Sequence, residues 1–219
     1  MKLQLPDLHR ADIKPQWQDV PAGERNPWQT RAAQTHGLDT PGNRETLKGV
    51  AYSAAGIFCV DNGATATGTA LIGWGRWKDI QDGKKAAATE TKAPLGEALD
   101  AVCDSALLAY ALPVMKRKGI ISGAEEAGIA ALTVAKFITA GTAKLRGREM
   151  HTERVNKLSM LAMWAGIGTH LLGKVAEQHG APKTGEAVNK TGAVLTYAGI
   201  GLGTIGMASY FRHAFGRKK

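Results

Sequence analysis

The sequence predicts an all-α integral membrane protein, a six-transmembrane-helix bundle with an N-terminal polar/interfacial segment. Three observations predict it. Beyond residue 48 the chain is a succession of uncharged runs, at 49–60, 62–75, 105–115, 127–135, 137–143 and 158–173. A further run, Thr191–Phe211, is 21 residues long, enough to cross a bilayer core of about 30 Å as a helix. Finally, Lys and Arg are distributed unevenly. With six crossings and the N-terminus inside, 21 of the 28 basic residues fall on one side and six on the other, leaving Lys136 within a helix. Such a bias places both chain ends in the cytoplasm. The mean hydropathy of −0.18 is pulled down by the polar residues 1–48, and the apolar runs are rich in Gly, Ala and Thr. Small residues suit close packing between membrane helices, and Gly199 and Gly203 suggest such a face.

Each element follows in order. Residues 1–40 are polar, with prolines at 6, 15, 21 and 27. Trp17 and Trp28 are expected at headgroup level on a surface helix. The first helix is predicted over 45–60, and Asp61-Asn62-Gly63 is a turn signal. Helices are then predicted over 64–82, 95–116, 121–142, 154–175 and 189–212. The domain plan is therefore 1–44 as a cytoplasmic or interfacial segment, 45–213 as the six-helix domain and 214–219 as a basic tail.

Composition excludes several function classes. Two cysteines, Cys59 and Cys103, and six scattered histidines give neither a disulfide scaffold nor a zinc pattern. A net charge of +9 points to an anionic partner: membrane lipid, a phosphorylated substrate or nucleic acid. Nucleic acid is disfavoured because aromatic residues are few and do not interleave with basic ones. The opening Met1-Lys2-Leu3-Gln4-Leu5-Pro6-Asp7 lacks the apolar stretch of a cleaved export signal.

The chemistry lies in four aspartates: Asp79, Asp82, Asp100 and Asp104. Spacings of three and four place each pair on one face of a helix, one turn apart. A short link joins the two pairs. Gathered carboxylates repel unless a positive charge sits among them, and hard divalent cations take oxygen ligands. The bland alternative is two solvated acidic helix faces.

This spacing resembles the CDP-alcohol phosphotransferase motif, D-x2-D-G-x2-A-R-x8-G-x3-D-x3-D. Asp79, Asp82, Gly83, Ala86, Gly96, Asp100 and Asp104 fall in register, and Ala87 stands where the motif has Arg. The segment Pro41-Gly42-Asn43-Arg44-Glu45-Thr46-Leu47 is similar to the family's P-N-x-x-T-L helix entry, with one residue inserted after Pro. The resemblance implies six transmembrane helices, commonly a homodimer, with the site at the cytoplasmic face of what is expected to be a prokaryotic cell membrane. It also implies transfer of a phospho-alcohol (phosphatidyl) group from a CDP-linked lipid to an acceptor alcohol, with release of CMP.

Two divalent cations, Mg²⁺ or Mn²⁺, are the expected cofactors, clamping a pyrophosphate. Asp79, Asp82 and Asp100 are the expected ligands. Asp104 is expected to bind the second metal or to stay free as the base that takes a proton from an incoming hydroxyl. Gly83 and Gly96 allow close approach of a nucleotide; the alternatives are a helix C-cap at Gly83 and helix packing at Gly96. Ala86, Asn43 and Thr46 join the nucleotide pocket by resemblance, with Asn43 as a helix N-cap the alternative. Without the Arg at 87 a permanent bidentate donor is lost, which Lys84 and Lys85 either compensate partly or ignore as snorkelling residues. Lys136, Arg154 and Lys157 are candidate contacts for a phosphorylated polyol acceptor such as inositol phosphate or glycerol phosphate; Glu153-Arg154-x-x-Lys157 loosely resembles the branch that uses inositol phosphate. Positive-inside anchoring is the plainer reading of that loop. Two other functions stay open: a catalytically impaired membrane scaffold of the same fold, and a soluble helical protein that binds polyanions.

Overall fold

The computed structural model describes residues 15–145 and 154–215. Among them there are seven helices and no strand: α1 (Pro27–Gln34), α2 (Pro41–Asp61), α3 (Thr65–Ala88), α4 (Pro94–Arg117), α5 (Gly123–Leu145), α6 (Arg154–Gln178) and α7 (Pro182–Phe215). The six long helices follow the order expected, and α1 is an added short one in the N-terminal segment. Two stretches, Ala98–Arg117 in α4 and Pro182–Ala208 in α7, are long and apolar enough to cross a membrane. The other long helices fall short of that measure, because Gly, Ala and Thr fill much of their length and charges interrupt it.

Several helix ends differ from the sequence expectation. α2 starts at Pro41, so the boundary drawn at 44/45 falls inside a helix. The reason is local: the Asn43 N–H donates to Thr40 Oγ1 at 3.1 Å, which makes Thr40 the cap and puts Pro41 in the first turn, where its missing N–H costs nothing. The reading of Asn43 as N-cap is corrected accordingly. α3 continues through Gly83 to Ala88, so Gly83 is not a C-cap. The helix ends instead where Glu90 takes a left-handed φ of 54°. There the Glu90 N–H donates to Ala87 O at 3.2 Å and the Thr91 N–H to Ala86 O at 2.9 Å, the paired bonds of a Schellman ending. α7 starts at Pro182, earlier than 189, and runs to Phe215, past the boundary at 213/214.

The chain forms two compact units, Met1–Ser53 with Trp74–Asp104, and Ala54–Gly73 with Ser105–Lys219. In the first unit the N-terminal segment is clamped onto the link between α3 and α4. The Gln16 N–H donates to Lys92 O, and the Lys92 N–H donates back to Gln16 Oε1, each at 3.1 Å. Asn26 Nδ2 donates to Thr89 O at 3.2 Å, and Gln29 Nε2 to Glu90 Oε2 at 3.1 Å. Trp17 is only 6% exposed and packs with Ala32 and Ala93. It is therefore a core residue of this unit and not a headgroup anchor: small neighbours leave room for the indole. Trp28 is half-buried with the Arg44 guanidinium 5.3 Å from its ring centre. Arg44, then Arg31, hold the half-buried Asp39 carboxyl below the usual carboxylate range.

Glycines set the helix contacts in both units. In the first, a Cβ on Gly49 would lie 2.8 Å from Gly75 O, so α2 and α3 meet backbone to backbone. In the second, a Cβ on Gly56 would lie 2.7 Å from Gly68 O. The same device joins α6 to α7: a Cβ on Gly166 would come 2.7 Å from Thr196 N, and one on Gly199 would come 2.8 Å from Met163 N. Gly185, Gly192, Gly199 and Gly206 recur every seventh residue, which keeps one face of α7 free of side chains against its antiparallel neighbour.

These contacts predict a sharp contrast in thermal unfolding of the purified protein. Gly199→Leu is expected to lower the melting temperature by about 5–10 °C, since overpacking costs about 1–3 kcal/mol. Gly168→Ala, where a Cβ meets nothing within 4 Å, is expected to hold or raise it. Equal behaviour of the two variants would refute close packing at Gly199.

Candidate metal centre

α3 carries Asp79 and Asp82, and α4 carries Asp100 and Asp104. All four belong to the first unit. One carboxylate oxygen from each of Asp79, Asp82 and Asp100 lies within 4.8 Å of the others. The helix periods bring each pair onto one face, and the clamped 89–93 link brings the two faces together.

Each aspartate has a distinct set of partners. Thr46 Oγ1, on α2, donates to Asp82 Oδ2 at 2.6 Å, and the Gly83 N–H donates to Asp82 Oδ1. Asp82 is thus aimed from two directions. Arg76, one turn before Asp79 on α3, donates through Nη2 to Asp79 Oδ2 and through Nη1 to Asp104 Oδ1, the latter at 2.6 Å. The three side chains of this bridge are only 20%, 22% and 15% exposed for Arg76, Asp79 and Asp104. Asp100 Oδ1 is buried with no hydrogen-bond partner. A buried carboxylate oxygen left without a donor is costly, and an all-oxygen set of three carboxylates suits a hard divalent cation. The residues present therefore fit a metal ion at Asp79, Asp82 and Asp100.

The other predicted site residues divide. Thr46 and Asn43 are buried in the same unit. Asn43 Nδ2 donates to Gly37 O at 2.8 Å and to Leu38 O at 2.9 Å, so its amide braces the turn that leads into α2. A Cβ on Gly96 would lie 3.0 Å from Asn43 Oδ1, which accounts for glycine there by packing. Ala86 packs against Gly42, which is held to glycine because a Cβ there would lie 3.0 Å from Ala86 Cβ and 3.2 Å from Asp82 O. Gly83 is exposed, and a Cβ there would meet nothing within 4 Å. Ala87 is exposed too.

Lys136 is half-buried in α5 and Lys157 is exposed on α6, both in the second unit. The side chain of Arg154 lies outside the described residues, as do residues 146–153.

Two features went unread in the sequence. Arg76 enters the sequence reading only through the Lys and Arg asymmetry, although its position three residues before Asp79 puts it on the aspartate face. Glu45 is 4% exposed and gathers three ammonium groups, Lys85 at 2.9 Å, Lys48 at 3.0 Å and Lys78 at 3.4 Å. Lys85 is therefore committed to Glu45.

Comparison with family models, curated proteins and solved structures finds no match to this chain.

The Thr46 contact yields a prediction that precedes any assay of activity. Residues that orient metal ligands are worth about 10–100-fold in affinity. Thr46→Val is expected to weaken Mn²⁺ binding, measured by titration calorimetry, by at least about 10-fold. Unchanged affinity would show that Asp82 needs no such support.

Proposed function

We propose that this chain is an integral-membrane enzyme of phospholipid synthesis. In this reading it transfers a phospho-alcohol group from a CDP-linked lipid to an acceptor alcohol and releases CMP. The observation that carries the reading is the convergence of Asp79, Asp82 and Asp100 on oxygens within 4.8 Å of one another, at the spacing of the CDP-alcohol phosphotransferase motif. Support for six spans, beyond the two helices long and apolar enough to cross a membrane, comes from the outer surface. Large apolar side chains stand exposed on every long helix, among them Phe58, Ile80, Val102, Ile138, Leu161 and Val194. Lipid is the environment in which such surfaces carry no penalty. The Lys and Arg asymmetry supports an orientation with the aspartates at the cytoplasmic face.

A divalent cation, Mg²⁺ or Mn²⁺, held by Asp79, Asp82 and Asp100 would supply Lewis-acid stabilisation of the negative charge on the diphosphate. The chain's own groups do the rest. Asp82 is fixed by Thr46. Gly83, with open space beside it, leaves room for a nucleotide against the backbone. The acceptor oxygen forms a bond to the phosphorus that bears the lipid alcohol, and the bond from that phosphorus to the CMP oxygen breaks, with CMP taking the electron pair. The hydroxyl proton passes to the Asp104 carboxylate.

One observation favours a second reading. The exposed Ala87 stands where the motif has Arg, so a catalytically silent scaffold of the same fold is the alternative. CMP release from a CDP-lipid in detergent micelles, with Mg²⁺ or Mn²⁺ and a panel of alcohols, separates the two. The enzyme reading expects turnover that falls by at least about 10²-fold in each of Asp79→Asn, Asp82→Asn and Asp100→Asn. Full activity in Asp100→Asn would remove the metal-site mechanism, and no turnover with any alcohol would leave the scaffold. Ala87→Arg is expected to keep or raise activity, and a large loss there would show a pocket rebuilt around alanine.

A further inference from the structure

We propose that the centre holds one divalent cation per chain, with the Arg76 guanidinium in the place a second ion would need. The inference deepens the metal reading above and rests on it. A second ion would need the place beside Asp104, the one aspartate of the four outside the convergent set. That position is taken: Arg76 Nη1 lies 2.6 Å from Asp104 Oδ1, and Nη2 bonds Asp79 Oδ2. The bridge is built into the helices. Arg76 stands one turn before Asp79 on α3, so its fork reaches the neighbouring carboxylate on its own helix and the facing one on α4. A guanidinium keeps its charge at every accessible pH and matches two carboxylates with its planar donors. It cannot vacate the place by losing a proton, and an incoming ion would have to break two charge-assisted bonds at once. Asp79 has two carboxylate oxygens and can serve both partners. The remaining group, Asp79, Asp82 and Asp100, is the set whose oxygens converge, and its Asp100 Oδ1 is the buried atom without a donor.

The test counts Mn²⁺ ions bound to the purified full chain in detergent, by electron paramagnetic resonance of free Mn²⁺, and needs no turnover. Wild-type protein is expected to bind one ion per chain. Arg76→Met is expected to bind two, and Arg76→Met with Asp104→Asn to return to one. Asp104→Asn alone is expected to keep the single ion with affinity within about 10-fold, and Asp100→Asn to abolish it; these variants decide the matter if Arg76→Met fails to fold. Two ions on the wild type, or no gain in a folded Arg76→Met, overturns this inference and leaves the metal reading standing. Loss of the ion in Asp104→Asn also overturns the inference alone. No ion on the wild type overturns both.

Discussion

The structure depends on how closely its helices approach at glycine. Between α2 and α3, Gly49 and Gly75 remove the side chains that would otherwise hold the two backbones apart. That approach is what lets Thr46 on α2 reach Asp82 on α3 at 2.6 Å. A methyl at either glycine would have to push the helices apart, and a hydrogen bond of that length does not survive a shift of about an ångström. The packing of the helix pair and the aim of a candidate metal ligand are thus one constraint. Glycine costs about 1 kcal/mol per position in a helix relative to alanine, so its repeated use at contacts marks where close approach matters.

Electrostatics then decides what this geometry can hold. Four carboxylates in a half-buried cluster need compensating charge. The chain supplies part of it through Arg76, which ties α3 to α4 by bridging Asp79 and Asp104. The rest of the cluster, Asp79, Asp82 and Asp100, keeps an oxygen set suited to a cation. Between α2 and α3 the opposite arrangement occurs at Glu45, one buried carboxylate among three lysines. A cationic cluster beside an anionic one gives the end of α3 two different surfaces, one acidic and one with surplus positive charge.

The sequence by itself determined the helices and their order, because uncharged runs and turn signals record burial and backbone chemistry locally. It also determined that the two aspartate pairs share faces, since three- and four-residue spacings are properties of the helix alone. Only the tertiary structure decided what lies across from those faces. Arg76 was one basic residue among many until α4 brought Asp104 within reach of it. Asn43 read as a pocket residue or, alternatively, a cap, whereas Thr40 takes the capping role and Asn43 braces the turn before it. Trp17 read as an interfacial anchor until Ala32 and Ala93 gave it a core. The heptad of glycines on α7 was visible as a pattern, but its meaning needed a partner, because a bare helix face becomes a contact only when another backbone lies on it. Periodicity is written along one chain segment; compensation of charge and fit of surfaces are written between segments, and those appear only when the chain has folded.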